Sequence, residues 1–139
     1  MPDPTEDLAL ALVELYERLS SWEHAAVRGT GLTLPQMHCL EILGAAGPLR
    51  MKELAERLGV TTGTLTALAD RLEQAGCVER RADPGDRRAV RLGLTALGRE
   101  RFVEHHGLHL SLTRALAEGL TPAEAADLAR ALREMAGRM

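Results

Sequence analysis

With 139 residues, 45% of them apolar and 27% charged, the sequence suits one compact domain, whose core a second copy of the chain can help complete, and argues against a disordered chain. Three aromatics, Tyr16, Trp22 and Phe102, are too few for a platform that stacks single-stranded nucleic acid, and they leave a core of Leu and Ala in helices. The net charge of −3 hides an asymmetry: residues 50–101 carry 11 Lys/Arg against 8 Asp/Glu and the others 6 against 12, so a basic middle lies between acidic ends, as suits a phosphate-contacting segment on a scaffold.

In chain order, Leu8, Leu12, Leu15, Leu19 and Trp22 alternate steps of four and three, predicting a helix to about Val27 with one apolar stripe that requires a partner. Arg28-Gly29-Thr30-Gly31 interrupts it. Thr33 caps a second helix, with Gln36 reaching back from the third position, and this helix ends between Gly44 and Pro48. A short third helix runs from about Met51 to Leu58 and turns at Gly59. Thr61 or Thr62 caps the fourth, which turns Leu65, Leu68 and Leu72 inward and Gly63, Thr64, Thr66, Ala67 and Arg71 outward until Gly76 ends it. This is a helix-turn-helix arrangement. Val78 to Arg81 and Ala89 to Leu94 read as strands around a turn-rich tip, Ala82 to Arg88, and so form a hairpin or wing. From Thr95 a long helix extends to about Glu118, and Thr121-Pro122-Ala123-Glu124 opens the last. The fold class is therefore mainly α with a small β-hairpin wing.

No apolar run approaches the roughly 20 residues of a membrane span. Met1 to Asp7 is acidic rather than a basic leader, so a cytoplasmic protein without a membrane partner is expected. Cys39 and Cys77 are too far apart for a C-x-x-C pair and read as reduced core thiols. An enzyme would have to use His38 beside Cys39, yet neighbours on a helix point about 100° apart and do not form a nucleophile–base pair, so catalysis is not expected.

A helix that reads base edges needs small polar side chains on its exposed face, and Thr62, Gly63, Thr64 and Thr66 supply them. Arg87 and Arg88 at the hairpin tip suit a minor groove, where negative potential favours Arg, with Asp86 placed to hold an Arg side chain. Taken alone, such a pair reads more readily as a solvated turn. The series Glu53-Leu54-Ala55, Gly59-Val60-Thr61, Asp70-Arg71-Leu72-Glu73, Gly76, Asp83-Pro84-Gly85-Asp86-Arg87-Arg88 and Leu94-Thr95 resembles the MarR family of winged helix-turn-helix transcription regulators over nearly the whole chain. That resemblance implies a homodimer on pseudo-palindromic double-stranded DNA, usually a repressor. It implies a DNA-binding lobe over about residues 33–94 and a dimerisation lobe from about residues 5–28 and 95–139. It also implies that Thr62, Gly63, Thr66 and Ala67 approach base edges, with Thr61 beside them in the DNA-binding set, Arg71 a phosphate, and Asp86 with Arg88 the wing contact. Ala67 stands where the family pattern commonly has Arg, and Arg50 where a small cap is usual.

All five histidines, His24, His38, His105, His106 and His109, lie outside the DNA-binding segment, and His105 and His109 share one helix face at the spacing that binds a single metal. Together with His38 they resemble the zinc-sensing branch of the family, which implies Zn2+ as a co-repressor held by His38, His105 and His109, with Glu23 or His24 as fourth ligand. Met37 stands where that branch has a carboxylate, so a second metal site is not expected. Two other readings stand beside this one: polar residues at a half-buried dimer interface, and donors that, with Arg28, hold a phenolate or other aromatic anion. A peroxide-sensing thiol is not expected, because the first helix has no cysteine.

Overall fold

A computed structural model describes every residue from Met1 to Met139. The elements are α1 (Pro4–Ala26), α2 (Leu34–Ala46), β1 (Leu49–Arg50), α3 (Met51–Leu58), α4 (Thr62–Gln74), β2 (Val78–Ala82), β3 (Val90–Leu94), α5 (Ala96–Leu116) and α6 (Pro122–Ala136). The chain falls into two compact units, Met1–His105 and His106–Met139. The first holds α1 to α4, the sheet and the first half of α5; the second holds the rest of α5 and α6.

In the first unit, local chemistry sets the boundaries. The capping box that opens α2 is reciprocal, with the Gln36 amide donating to Thr33 Oγ1 at 3.3 Å and the Thr33 amide to Gln36 Oε1 at 2.9 Å. Gly59, at φ +68°, takes the left-handed conformation that closes α3 after only eight residues, and Thr61 then caps α4 by accepting the Thr64 amide at 3.1 Å. Leu65, Ala69 and Leu72 form the buried stripe of α4, while Leu68 is half-buried. They meet Met37, Leu40 and Leu43 of α2 together with Leu54, Val78 and Leu92. Each fully buried leucine contributes roughly 2 kcal/mol through area removed from water.

The sheet is antiparallel in the order β1-β3-β2, with Val78 opposite Leu94 and Ala82 opposite Val90. Two strands are predicted and three are found. Leu49 and Arg50 pair with Leu92 and Arg91, and a two-residue strand carries no periodicity by which to recognise it. Arg50 occupies the N-cap of α3 without a capping hydrogen bond from its side chain.

In the second unit, Thr121 and Glu124 complete the capping box that opens α6, a helix with no buried residue. The stripe of α1 likewise stays uncovered: Leu8, Leu15 and Leu19 remain 48%, 48% and 37% exposed. Contiguous apolar faces left open on a helix are candidate interaction surfaces. No helix is long and apolar enough to cross a membrane.

Candidate functional site

The outward face of α4 carries Thr62, Gly63, Thr64, Thr66, Ala67 and Arg71, all exposed, with Thr61 at its N-terminal edge. A groove of about 490 Å³ runs beside it, lined by Thr33, Pro35 and Gln36 from the start of α2 and by Thr64, Ala67, Leu68 and Arg71. Small residues leave the backbone of α4 close to whatever fills the space in front of it.

Arginines in this region fall into two groups. Arg50, Arg80, Arg81 and Arg91 are tied into ion pairs that build the frame. Arg80 forks onto Asp70 at 2.7 Å and Glu73 at 2.8 Å, fixing β2 to α4. Arg50 and Arg91 converge on Asp83, whose side chain is wholly covered and whose Oδ2 also accepts the Gly85 amide at 3.0 Å. Hydrogen bonds from the two guanidiniums hold that carboxyl well below the usual range, so the root of the wing stays charged and locked into acid. Arg71, Arg87 and Arg88 enter no ion pair, and all three are exposed. A wing rooted by four arginines therefore presents separate, uncommitted cations at its tip and on α4.

The expected role of Asp86 is corrected. Its carboxylate accepts the backbone amide of Arg88 at 2.9 Å rather than gripping an arginine side chain, because the tight turn brings that amide within two residues. The residue that grips arginine side chains is Asp83. It lies in the motif read from the sequence, but its partner Arg50 is 33 positions away and only the β1–β3 pairing joins them.

A second cluster lies inside the first unit. Buried His105 places Nε2 3.2 Å from Glu23 Oε2 and 3.1 Å from Glu41 Oε1, and its ring lies 6.2 Å from that of Trp22 between centroids, tilted by 45°. One ring nitrogen facing two carboxylates has at most one proton to offer. Burial, reinforced by the nearby charge of Glu23, pushes Glu41 up to about 7. Donor atoms of Glu23, Glu41 and His105 lie within 4.8 Å of one another. One imidazole and two carboxylates form a donor set that fits a divalent cation of the zinc type.

Of the residues expected around a metal, Glu23 and His105 meet directly, and His109 follows one turn later on α5. His38 stays outside, 46% exposed and 4.0 Å from Glu23. His24 is turned to its own helix, with Nδ1 2.7 Å from the Ser20 carbonyl oxygen. Both line a groove of about 300 Å³ with Tyr16, Leu19, Glu23 and Leu34. Glu41 escaped the sequence reading, although it stands one helical turn after His38 and so flanks the same part of α2. Cys39 is fully buried and its thiol is pushed up to about 12 by burial, the chemistry of a core residue.

Residues 32–90 match the model of the MarR family. Among curated relatives, the chain is 40% identical to the uncharacterized HTH-type transcriptional regulator YcgE of Bacillus subtilis over 60% of its length and 57% of that protein. It is 34% identical to the HTH-type transcriptional repressor MdtR of Bacillus subtilis over 70% of its length and 63% of that protein. The matched stretch thus spans less than two thirds of these relatives. Among solved structures, FabT of Streptococcus pneumoniae in complex with DNA superposes with a TM-score of 0.79 at 25% identity, over 96% of this chain and 95% of that one. NadR in complex with 4-hydroxyphenylacetate superposes at 0.82 with 27% identity, over 98% of each chain. With its winged-helix elements matched in sequence and its full length matched in fold, the chain belongs to the MarR family.

Proposed function

We propose that this protein is a homodimeric transcription repressor that binds a pseudo-palindromic site on double-stranded DNA and responds to a small effector. The observation that carries the reading is the pairing of a small-residue face on α4 with three uncommitted arginines, Arg71, Arg87 and Arg88, around a rigidly rooted wing. The FabT complex with DNA supports the same use of the fold. In this reading Thr61, Thr62, Gly63, Thr64, Thr66 and Ala67 approach base edges, Arg71 holds a phosphate, and Arg87 and Arg88 enter the minor groove, with Asp86 shaping the tip. Residues 33–94 form the DNA lobe, and the open apolar faces of α1 and α6 pair two chains.

Replacing Arg88 by Ala is expected to weaken operator binding by about 1–3 kcal/mol while leaving the fold intact. Anisotropy titrations on DNA upstream of the gene check this, and unchanged affinity removes the wing tip from the mechanism.

A second reading concerns the effector. The Glu23–Glu41–His105 cluster supports a divalent cation, Zn2+, as co-repressor. Its binding would relieve the crowded carboxylates and join α1, α2 and α5, setting the separation of the two recognition helices. His38 and His24 would join it only by a rotamer change. The competing effector is an aromatic anion, supported by the NadR complex with 4-hydroxyphenylacetate and by the groove in which His24 and His38 stand.

A further inference from the structure

We propose that α4 reads thymine C5-methyl groups, with the methyl groups of Thr66 and Ala67 as its reading surface, and that the half-site it prefers carries A·T pairs there. The inference rests on the placement of α4 in the major groove and deepens it to a class of sequence.

Hydrogen bonding inside the helix supports it. Thr66 donates its hydroxyl proton to the Thr62 carbonyl oxygen at 2.9 Å, which directs its polar atom back along α4 and leaves its methyl group for the outer face. Thr61 gives its proton to Thr64 Oγ1 at 3.0 Å while it caps the helix. The remaining hydroxyls, on Thr62 and Thr64, are single groups that bond to any base and discriminate little.

Long side chains are equally restricted. Reading guanine or adenine by paired hydrogen bonds takes Arg, Lys, Asn or Gln near the start of the helix, and residues 61–69 contain none. Asp70 and Glu73 are held by Arg80, and Arg71 lies in the C-terminal half, toward the backbone of a duplex. What remains exposed at the reading end is a pair of adjacent i, i+4 rows, Thr62 with Thr66 and Gly63 with Ala67. Apolar contact with the thymine methyl is the readout those groups can make.

Gly63 adds an independent indication. A Cβ there would meet nothing closer than Thr61 Oγ1 at 3.9 Å, so the chain's own packing does not require a glycine, which carries a cost in a helix. A missing side chain lets the first turn of α4 approach an outside surface closely.

The test begins with selection of bound duplexes from a pool with a random core, followed by anisotropy titrations in which single thymines of the selected site are replaced by uracil. Loss of one buried methyl should weaken binding about fourfold, and loss of the symmetric pair about sixteenfold. Thr66→Ser or Ala67→Gly should abolish the penalty at the thymine each residue faces, whereas Thr66→Val should keep it. Equal binding of uracil and thymine duplexes, or a selected core fixed as G·C opposite α4, overturns the inference and leaves DNA binding standing. Failure to select any duplex overturns the placement of α4 as well.

Discussion

Gly98→Ala should destabilise the protein by about 2–3 kcal/mol, although the same change in an ordinary helix is worth about 1 kcal/mol in the opposite direction. Gly98 is buried in the first turn of α5, and a Cβ there would lie 2.9 Å from the Cys77 carbonyl carbon and nearer still to its oxygen. The obstacle is backbone, and it is fixed on both sides. The Cys77 amide donates to the Leu72 carbonyl oxygen at 2.9 Å, and the Cys77 oxygen accepts the Thr95 amide at 3.1 Å. Relief would require moving α5 away from the junction between α4 and β2. Urea unfolding measures the effect, and Gly63→Ala, with open space around it, serves as the contrast that should hold or slightly raise stability. Equal outcomes for the two variants would mean that α5 does not dock as described.

Glu41→Gln should act in opposite directions on the metal-free protein and on metal affinity. With the carboxyl pushed up to about 7 from an ordinary value near 4.5, the folded protein keeps a proton that the unfolded chain has released. Stability therefore falls as pH rises through that window, and the loss is complete above it. Removing the charge should restore on the order of 2 kcal/mol at pH 8 in chelator, after allowance for partial exposure of the group. Zinc affinity should fall at the same time, by more than the roughly 10–100-fold that loss of an outer-shell partner costs. Urea unfolding in chelator and competition against a chromophoric chelator give the two readouts. A variant that gains stability but keeps zinc affinity would mark the cluster as a buried charge network unrelated to metal.

Much of the fold was legible because its signals are local. The two capping boxes, Thr33 with Gln36 and Thr121 with Glu124, need only three residues of separation, and Gly59 needs only its own φ. The buried stripe of α4 follows from helical periodicity, with Ala69 added to the expected leucines. What stayed hidden depends on contacts across the chain. β1 exists only because β3 lies beside it, and Arg50 reaches Asp83 only once that pairing is made. The histidine cluster divides along the same line: the i, i+4 spacing of His105 and His109 is readable from sequence, whereas the approach of Glu23 and Glu41 to His105 depends on how α1, α2 and α5 pack. Glu23 and His105, both named from the sequence, meet there, and Glu41 joins them from α2. Uncommitted arginines, too, are distinguished from structural ones only by their partners.

Hydroxyl-radical footprinting of the purified protein on the DNA upstream of its gene tests the central claim most directly. Two protected stretches related by a two-fold axis, with centres about 10 bp apart and flanking minor-groove protection that disappears in the Arg88→Ala variant, are the predicted result. A single protected stretch, or none at protein concentrations that saturate a specific site, would contradict a dimer that reads DNA through α4 and its wing.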